Sequence, residues 1–188
     1  MKKGIVILIV VLVVILGGIG WYIGGLNKVV RMDEQVKESW AQIDTQLQRR
    51  NDLIPNLVNT AKGYIKHEKE VLKNISDARA AMMGAKTVED KIKSDQAMEG
   101  ALSRLMVIVE NYPNLKANES FNRLMDELAG TENRISVARM RYNDSARVFN
   151  SYIREVFGKF FAKKRGLDKS HPYFEAEEKA KEVPEVKF

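Results

Sequence analysis

Polar positions vanish at the start of the chain: from Gly4 to Asn27 there is no charged residue, and Ile5 to Leu16 is almost wholly Ile, Val and Leu. Roughly 20 consecutive apolar residues suffice to cross a bilayer as a helix. Residues 1–27 are therefore expected to form a transmembrane anchor, with Lys2 and Lys3 at its near end and Trp21 and Tyr22 near its far end, where amphipathic rings favour the headgroup level. Behind the anchor the pattern changes to helical spacing. Val36, Trp40, Ile43, Leu47, Leu53, Ile54, Leu57, Ala61, Tyr64, Val71, Leu72, Ile75 and Ala78 follow a near-heptad seam. They predict one long helix from Asn27 to about Met83, ended by Gly84. Thr87-Val88-Glu89-Asp90 reads as a capping box that opens a second helix through about Val109. Its buried face would be Ile92, Met98, Leu102, Leu105, Met106 and Val109.

Asn111-Tyr112-Pro113-Asn114 reads as a turn. A third helix then begins near Asn118 and carries Phe121, Leu124, Met125, Leu128, Ile135, Ala138, Tyr142, Phe149, Ile153 and Val156, running to about Phe161 with Gly130 as an interruption. Beyond Lys163-Lys164-Arg165-Gly166 the tail turns polar. Pro172 and Pro184 break any continuous helix there, and Tyr173-Phe174 and Val186-Lys187-Phe188 are candidates to dock on the bundle. With no strand pattern, the fold class is all-α: a single transmembrane helix, then an antiparallel three- or four-helix bundle with long coiled-coil-like helices over 28–162, and a polar tail over 163–188. The first helix is about twice the second, which leaves two readings open. Either Pro55 divides it and yields four helices, or it forms a stalk that packs on another copy or a partner.

Two local rules fail together in Gln46 to Val58: Arg50 falls on the apolar seam, and Pro55 removes a helical hydrogen bond in mid-run. A second polar interruption, Thr131-Glu132-Asn133-Arg134 with Arg139, flanks Ile135 in the third helix. These predict a polar layer in which Arg50 pairs with Glu132, a device that would set register. The competing reading has the arginines snorkel to the surface with only their stems buried.

Composition narrows the chemistry. The net charge is +6, but 31 basic residues are interspersed with 25 acidic ones. That is an ordinary solvated helical surface; no recognition helix or RNA-binding motif argues for nucleic acid. Without cysteine there are no disulfides or thiolate zinc sites. His67 and His171 lie in no His-Glu-x-x-His or Glu-x-x-His pattern, and no serine sits in a nucleophile-elbow context. Hence no catalytic, metal or cofactor residues are nominated, and the chain is read as a non-enzyme. A cleaved signal peptide ranks behind the uncleaved anchor, because Gly17 to Leu26 extends the apolar run without a clean cleavage site. Lysines flank both ends of the span, so charge leaves orientation open, and Gly20 with Gly24 at dimer spacing is a weak sign of helix pairing.

The motifs also carry a likeness. Gln48-Arg49-Arg50 with Asp52-Leu53-Ile54-Pro55-Asn56-Leu57-Val58, Lys62-Gly63-Tyr64, His67-Glu68, Ala78-Arg79, Glu110 to Asn118, Gly130-Thr131-Glu132-Asn133-Arg134-Ile135, Ala138-Arg139 and Tyr142-Asn143 together resemble the bacterial LemA family. The endings Pro172-Tyr173-Phe174-Glu175 and Pro184 to Phe188 are similar too. The resemblance implies a membrane-anchored helical bundle of bacterial type. Some relatives look like lipoproteins with an N-terminal cysteine, which by analogy places the bundle outside the cytoplasm, on the inner membrane; this chain lacks that cysteine. It also has Val156-Phe157-Gly158 where relatives often have Phe-Pro. The family offers no agreed reaction to transfer. The function expected is a non-enzymatic interaction or scaffolding module of the cell envelope, bound to the lipid bilayer through 4–27, with protein partners and self-association open. The alternative is an accessory or regulatory subunit of a membrane-bound hydrolase or protease; third comes lipid or small-ligand binding inside the bundle. Candidate interaction or polar-layer residues are Arg49, Arg50, Pro55, Asn56, Tyr112, Glu132, Arg134 and Arg139, with Tyr112 to Asn118 brought near Pro55 if the second helix returns the chain.

Overall fold

A computed structural model describes residues 2–65 and 67–175 as helices joined by short turns, with no strand among them. The helices are α1 (Lys2–Lys62), α2 (Lys69–Gly84), α3 (Val88–Val109), α4 (Pro113–Lys116), α5 (Glu119–Tyr152) and α6 (Val156–Arg165). The expected Val186-Lys187-Phe188 docking cluster and Pro184 lie outside the described residues. The helices group into two compact units, among the described residues 2–39 with 141–171 and 40–140 with 172–175, so α1 and α5 contribute to both.

The 61 residues of α1 extend about 90 Å at 1.5 Å per residue. The expected single helix to Met83 is corrected. Pro55 lies inside α1 without ending it, and the break comes after Lys62, where Tyr64 and Ile65 amides both bond the Ala61 carbonyl and α2 starts only at Lys69. The break is hidden from periodicity because Ala61, Ile65 and Leu72 stay in one core on either side of it. A carbonyl four residues before a proline loses its helical donor. Here that carbonyl belongs to Asn51, and Arg79 Nε of α2 donates to it at 3.3 Å. The proline is thus tolerated because a side chain supplies what the backbone lacks.

In the unit formed by 40–140, Ile54, Leu57, Val58, Ala61 and Ile65 pack with Leu72, Ile75 and Ala78 of α2, Met98, Ala101, Leu105 and Val109 of α3, Leu115 of α4, and Phe121 and Leu128 of α5. Thr87 caps α3 by accepting from the Asp90 amide. The turn expected at Asn111–Asn114 closes into α4, with Pro113 at a first-turn position where its missing N–H costs nothing. Met106, placed on the buried face by spacing, is 44% exposed.

In the unit formed by 1–39 and 141–171, Val29 and Val36 of α1 are buried, as are Tyr142, Ala146, Phe149 and Tyr152 of α5. The third helix was expected to reach Phe161 with an interruption at Gly130. Instead α5 passes through Gly130 and stops at Tyr152. Arg154 and Glu155 amides close tight turns on Ser151 and Tyr152, and the chain restarts as α6. Gly158 makes that turn feasible: a Cβ there would stand 1.8 Å from the Tyr152 carbonyl oxygen. Val156, expected on the buried face, is 82% exposed as a result. Gly166, at φ 68°, ends α6 in a left-handed cap, with the Leu167 amide bonding the Ala162 carbonyl. Over Ile5 to Ile23 the apolar side chains of α1 face outward, and this is the one described helix long and apolar enough to cross a membrane.

Candidate functional site

A charged layer crosses the core of the 40–140 unit. Its centre is Asp95 of α3, fully buried, which takes Arg50 Nη1 of α1 at 2.7 Å on one carboxylate oxygen and Arg139 of α5 on the other. Glu132, about two turns before Arg139 on α5, receives both guanidinium groups: it ion-pairs with Arg50 and stands 3.6 Å from Arg139 Nη1. Glu99, one turn beyond Asp95, reaches Arg139 Nη2 at 3.3 Å. Two cations and two carboxylates alternate around a closed square with a third carboxylate outside it. Each planar guanidinium can serve two acceptors at once, which a point-charge ammonium cannot do as rigidly.

Exposure grades across the layer, from Asp95 and Arg50 in the core to half-buried Glu132. Burial depresses the Arg50 pKa below its ordinary value, the Asp95 charge opposes that shift, and the like charge of Arg139 adds to it. An unpaired buried arginine would be untenable. Here it is paired twice, with Asp95 and with Glu132.

The tail covers the outer side of this layer. The Phe174 ring stacks on Trp40 with centroids 5.9 Å apart, and the Arg139 guanidinium lies 5.4 Å from the Phe174 centroid. A separate polar set holds the preceding tail residue in the other unit. Asn150 clamps the His171 backbone at both ends, donating to its carbonyl and accepting from its amide at 2.9 Å each, while His171 Nε2 stands 2.9 Å from Oδ1 of buried Asp33.

The candidate residues thus fall into two groups. Arg50, Glu132 and Arg139 meet one another, whereas Arg49, Asn56 and Arg134 are exposed and Pro55 and Tyr112 half-buried. The Tyr112–Asn118 turn meets the end of α1 beyond Pro55, through a 2.9 Å bond from Asn118 Nδ2 to the Tyr64 hydroxyl. Asn56 instead opens on a cleft of about 500 Å³ lined also by Asn59, Thr60, Ser120, Arg123, Leu124 and Glu127. Asp95, the centre of the layer, was missed. Its signal was a gap in the α3 seam, since Ile92 and Met98 are buried six positions apart and Asp95 occupies the seam place between them. Phe174 was singled out with Tyr173 as a docking cluster, and its ring stacks on Trp40; His171 gave no comparable signal, because its partners lie far away in sequence.

Among the described residues no group of three or more His, Asp or Glu could hold a metal ion. A cleft of about 650 Å³ opens beside Ile65 and Leu72 and is rimmed by Lys62, Lys69, Lys73 and Ser76.

The model of the LemA family matches residues 39–188, which takes in every residue of the charged layer. Among similar proteins, the magnetosome protein MamQ of Magnetospirillum gryphiswaldense is 26% identical over 150 residues, covering 66% of this chain and 55% of the relative. Magnetosome protein MamQ 1 of Paramagnetospirillum magneticum is 25% identical over the same shares. Protein LemA of Metamycoplasma hominis is 27% identical over 150 residues, covering 78% of this chain and 67% of the relative. The chain thus spans about half the length of the MamQ relatives.

Proposed function

We propose, from the premise that this chain belongs to the LemA family, that it is a non-enzymatic, single-pass membrane protein whose helical bundle is an interaction or scaffolding module of the bacterial cell envelope. The observation that carries this reading is the internal consumption of the buried charge: Arg50, Asp95, Arg139 and Glu132 neutralise one another across three helices. Such a layer fixes helix register, and registry is the best-attested use of a buried ion pair. The family's exposed residues are then the ones available to a partner. Arg49 and Asn56 of α1 are on the surface, and the cleft at Asn56 carries Arg123 and Glu127 beside the amides Asn56 and Asn59. Recurrence of this segment in longer relatives named for the magnetosome supports a module that is carried between proteins.

The bundle is assigned to the extracytoplasmic side by analogy with lipoprotein-like relatives. A cytoplasmically active reporter fused after Phe188 would overturn that assignment. The interaction reading is tested by a photo-crosslinker placed at Asn56 in the full chain in native membranes. A discrete adduct that disappears with Arg123→Glu supports it; an adduct to a membrane-bound hydrolase or protease makes the chain that enzyme's accessory subunit. Absence of any adduct at Asn56 and at Arg49 would refute the proposed surface.

A further inference from the structure

We propose that α6 is an interfacial helix that docks on an anionic phospholipid surface beside the transmembrane span. The span fixes its depth. Counting about 20 residues of hydrocarbon crossing from Gly4 puts the far boundary near Ile23, and the aromatic pair at that level is what α6 touches. Trp21 meets Phe157 edge-on at 5.3 Å and Phe161 at 5.1 Å, and Tyr22 lies 6.3 and 6.1 Å from the Phe160 and Phe161 rings. Gly25 permits the approach, since a Cβ there would stand 2.2 Å from the Phe161 ring. A helix fastened at that point shares the headgroup level with the rings that hold it.

The outer face of α6 has the chemistry of that level. Phe161, Ala162 and Gly158 turn inward, whereas Val156, Phe157 and Phe160 are 82, 62 and 45% exposed. The same ten residues carry Lys159, Lys163, Lys164 and Arg165, and Lys164 Nζ lies 6.0 Å from the Phe160 centroid. Apolar rings beside long cationic stems suit a bilayer interface, where the rings enter the acyl boundary and the ammonium groups reach up to phosphate. A cleft of about 360 Å³ adjoins this helix, lined by Ile153, Arg154, Lys159, Lys163, Asp168 and Ser170. Three cations face one carboxylate there, a balance that favours an anionic headgroup. Continuity with the span and this charge complementarity select an anionic bilayer over a second copy or a protein as the covering partner.

The chain has no cysteine, so a single introduced thiol is a unique label site. A nitroxide at Val156→Cys, in full-length protein reconstituted in phosphatidylcholine vesicles with and without phosphatidylglycerol, reports immersion as the ratio of oxygen to aqueous nickel-chelate collisions. Ile9→Cys in the span and Lys169→Cys on the surface give the lipid and water limits. Expected is a ratio several-fold above the Lys169→Cys limit when phosphatidylglycerol is present. It should fall towards that limit when Lys159, Lys163 and Lys164 are changed to glutamine. A ratio at the water limit in both lipids overturns the proposal, as does one indifferent to phosphatidylglycerol and to the lysine changes. Spin–spin broadening between copies would overturn it too, showing that a second chain covers the face. A water-accessible Ile9→Cys would place the span itself outside the bilayer, and the anchored reading would fall with it.

Discussion

Arg79 and Pro55 should be energetically coupled although neither touches the other's side chain. Pro55 has no N–H, so in an unbroken α1 the Asn51 carbonyl lacks its helical donor, and Arg79 Nε stands 3.3 Å from it. Asn51 is 5% exposed, which leaves little room for water to replace that donor. Stranding a buried carbonyl costs about 1–3 kcal/mol. Arg79 is only half-buried, so Arg79→Met in the native background should cost about 1–2 kcal/mol, at the lower side of that range. In a Pro55→Ala background the new amide takes the Asn51 carbonyl, and the same Arg79→Met change should cost about 0.5 kcal/mol or less, as ordinary surface substitutions do. The cycle therefore predicts a coupling of roughly 1 kcal/mol.

Urea unfolding of the full chain in mild detergent, followed by helical circular dichroism, gives the four stabilities, provided that the slope with denaturant is unchanged across the set. Amide exchange over 51–58 supplies a local reading, which should accelerate with Arg79→Met alone and be restored by adding Pro55→Ala. An equal cost for Arg79→Met in both backgrounds, within about 0.3 kcal/mol, would refute the account. Arg79 would then act through its own packing, and tolerance of the proline would require another cause.

Asp95→Ala should destabilise the bundle by about 3–5 kcal/mol, because it leaves Arg50 buried without its carboxylate; Asp95→Leu combined with Arg50→Met should recover most of that loss in thermal unfolding. Gly158→Ala forces a Cβ into the Tyr152 carbonyl and should cost about 1–3 kcal/mol, read as faster amide exchange throughout 156–165 with α2 and α3 unaffected. Asn150→Ala removes both hydrogen bonds that hold the His171 backbone. It should cost about 1–2 kcal/mol and expose Lys169 to trypsin cleavage severalfold faster than in the native chain.

The helical class, the long apolar N-terminal helix, the Thr87 cap and the α3 seam positions Ile92, Met98, Leu105 and Val109 were legible because each is written locally, in spacing or in one residue's hydrogen bond. The break after Lys62 was not, because an apolar seam on both sides of a short loop reads the same as a continuous helix when Ala61, Ile65 and Leu72 share one core. Pro55 misled in the opposite sense: its local cost is real, but the compensation comes from Arg79, 24 positions away in sequence. Arg50 was legible as a fault in a seam. Its principal partner was not, since Asp95 could be recognised only by noticing that the buried spacing of α3 skips from Ile92 to Met98.

On the proposed interaction reading, the charged square also constrains where a partner would bind. Asp95 accepts from arginines on two different helices, so sliding α3 by one turn, about 5.4 Å, would take its carboxylate out of reach of both, and in the direction that brings Ile92 into its place would leave the Arg50 guanidinium against an apolar side chain. The neighbouring registers are thereby penalised on two sides at once, a specificity that uniform apolar packing along the seam would not supply. Because Arg50 and Asp95 are spent on this, neither can offer a hydrogen bond outward without undoing the layer. Any partner that reads the Gln48-Arg49-Arg50 segment must therefore read it through Arg49, the exposed member of the pair. On the proposed interaction reading, Arg50 would contribute only by holding the surface around Arg49 and Asn56 in one geometry.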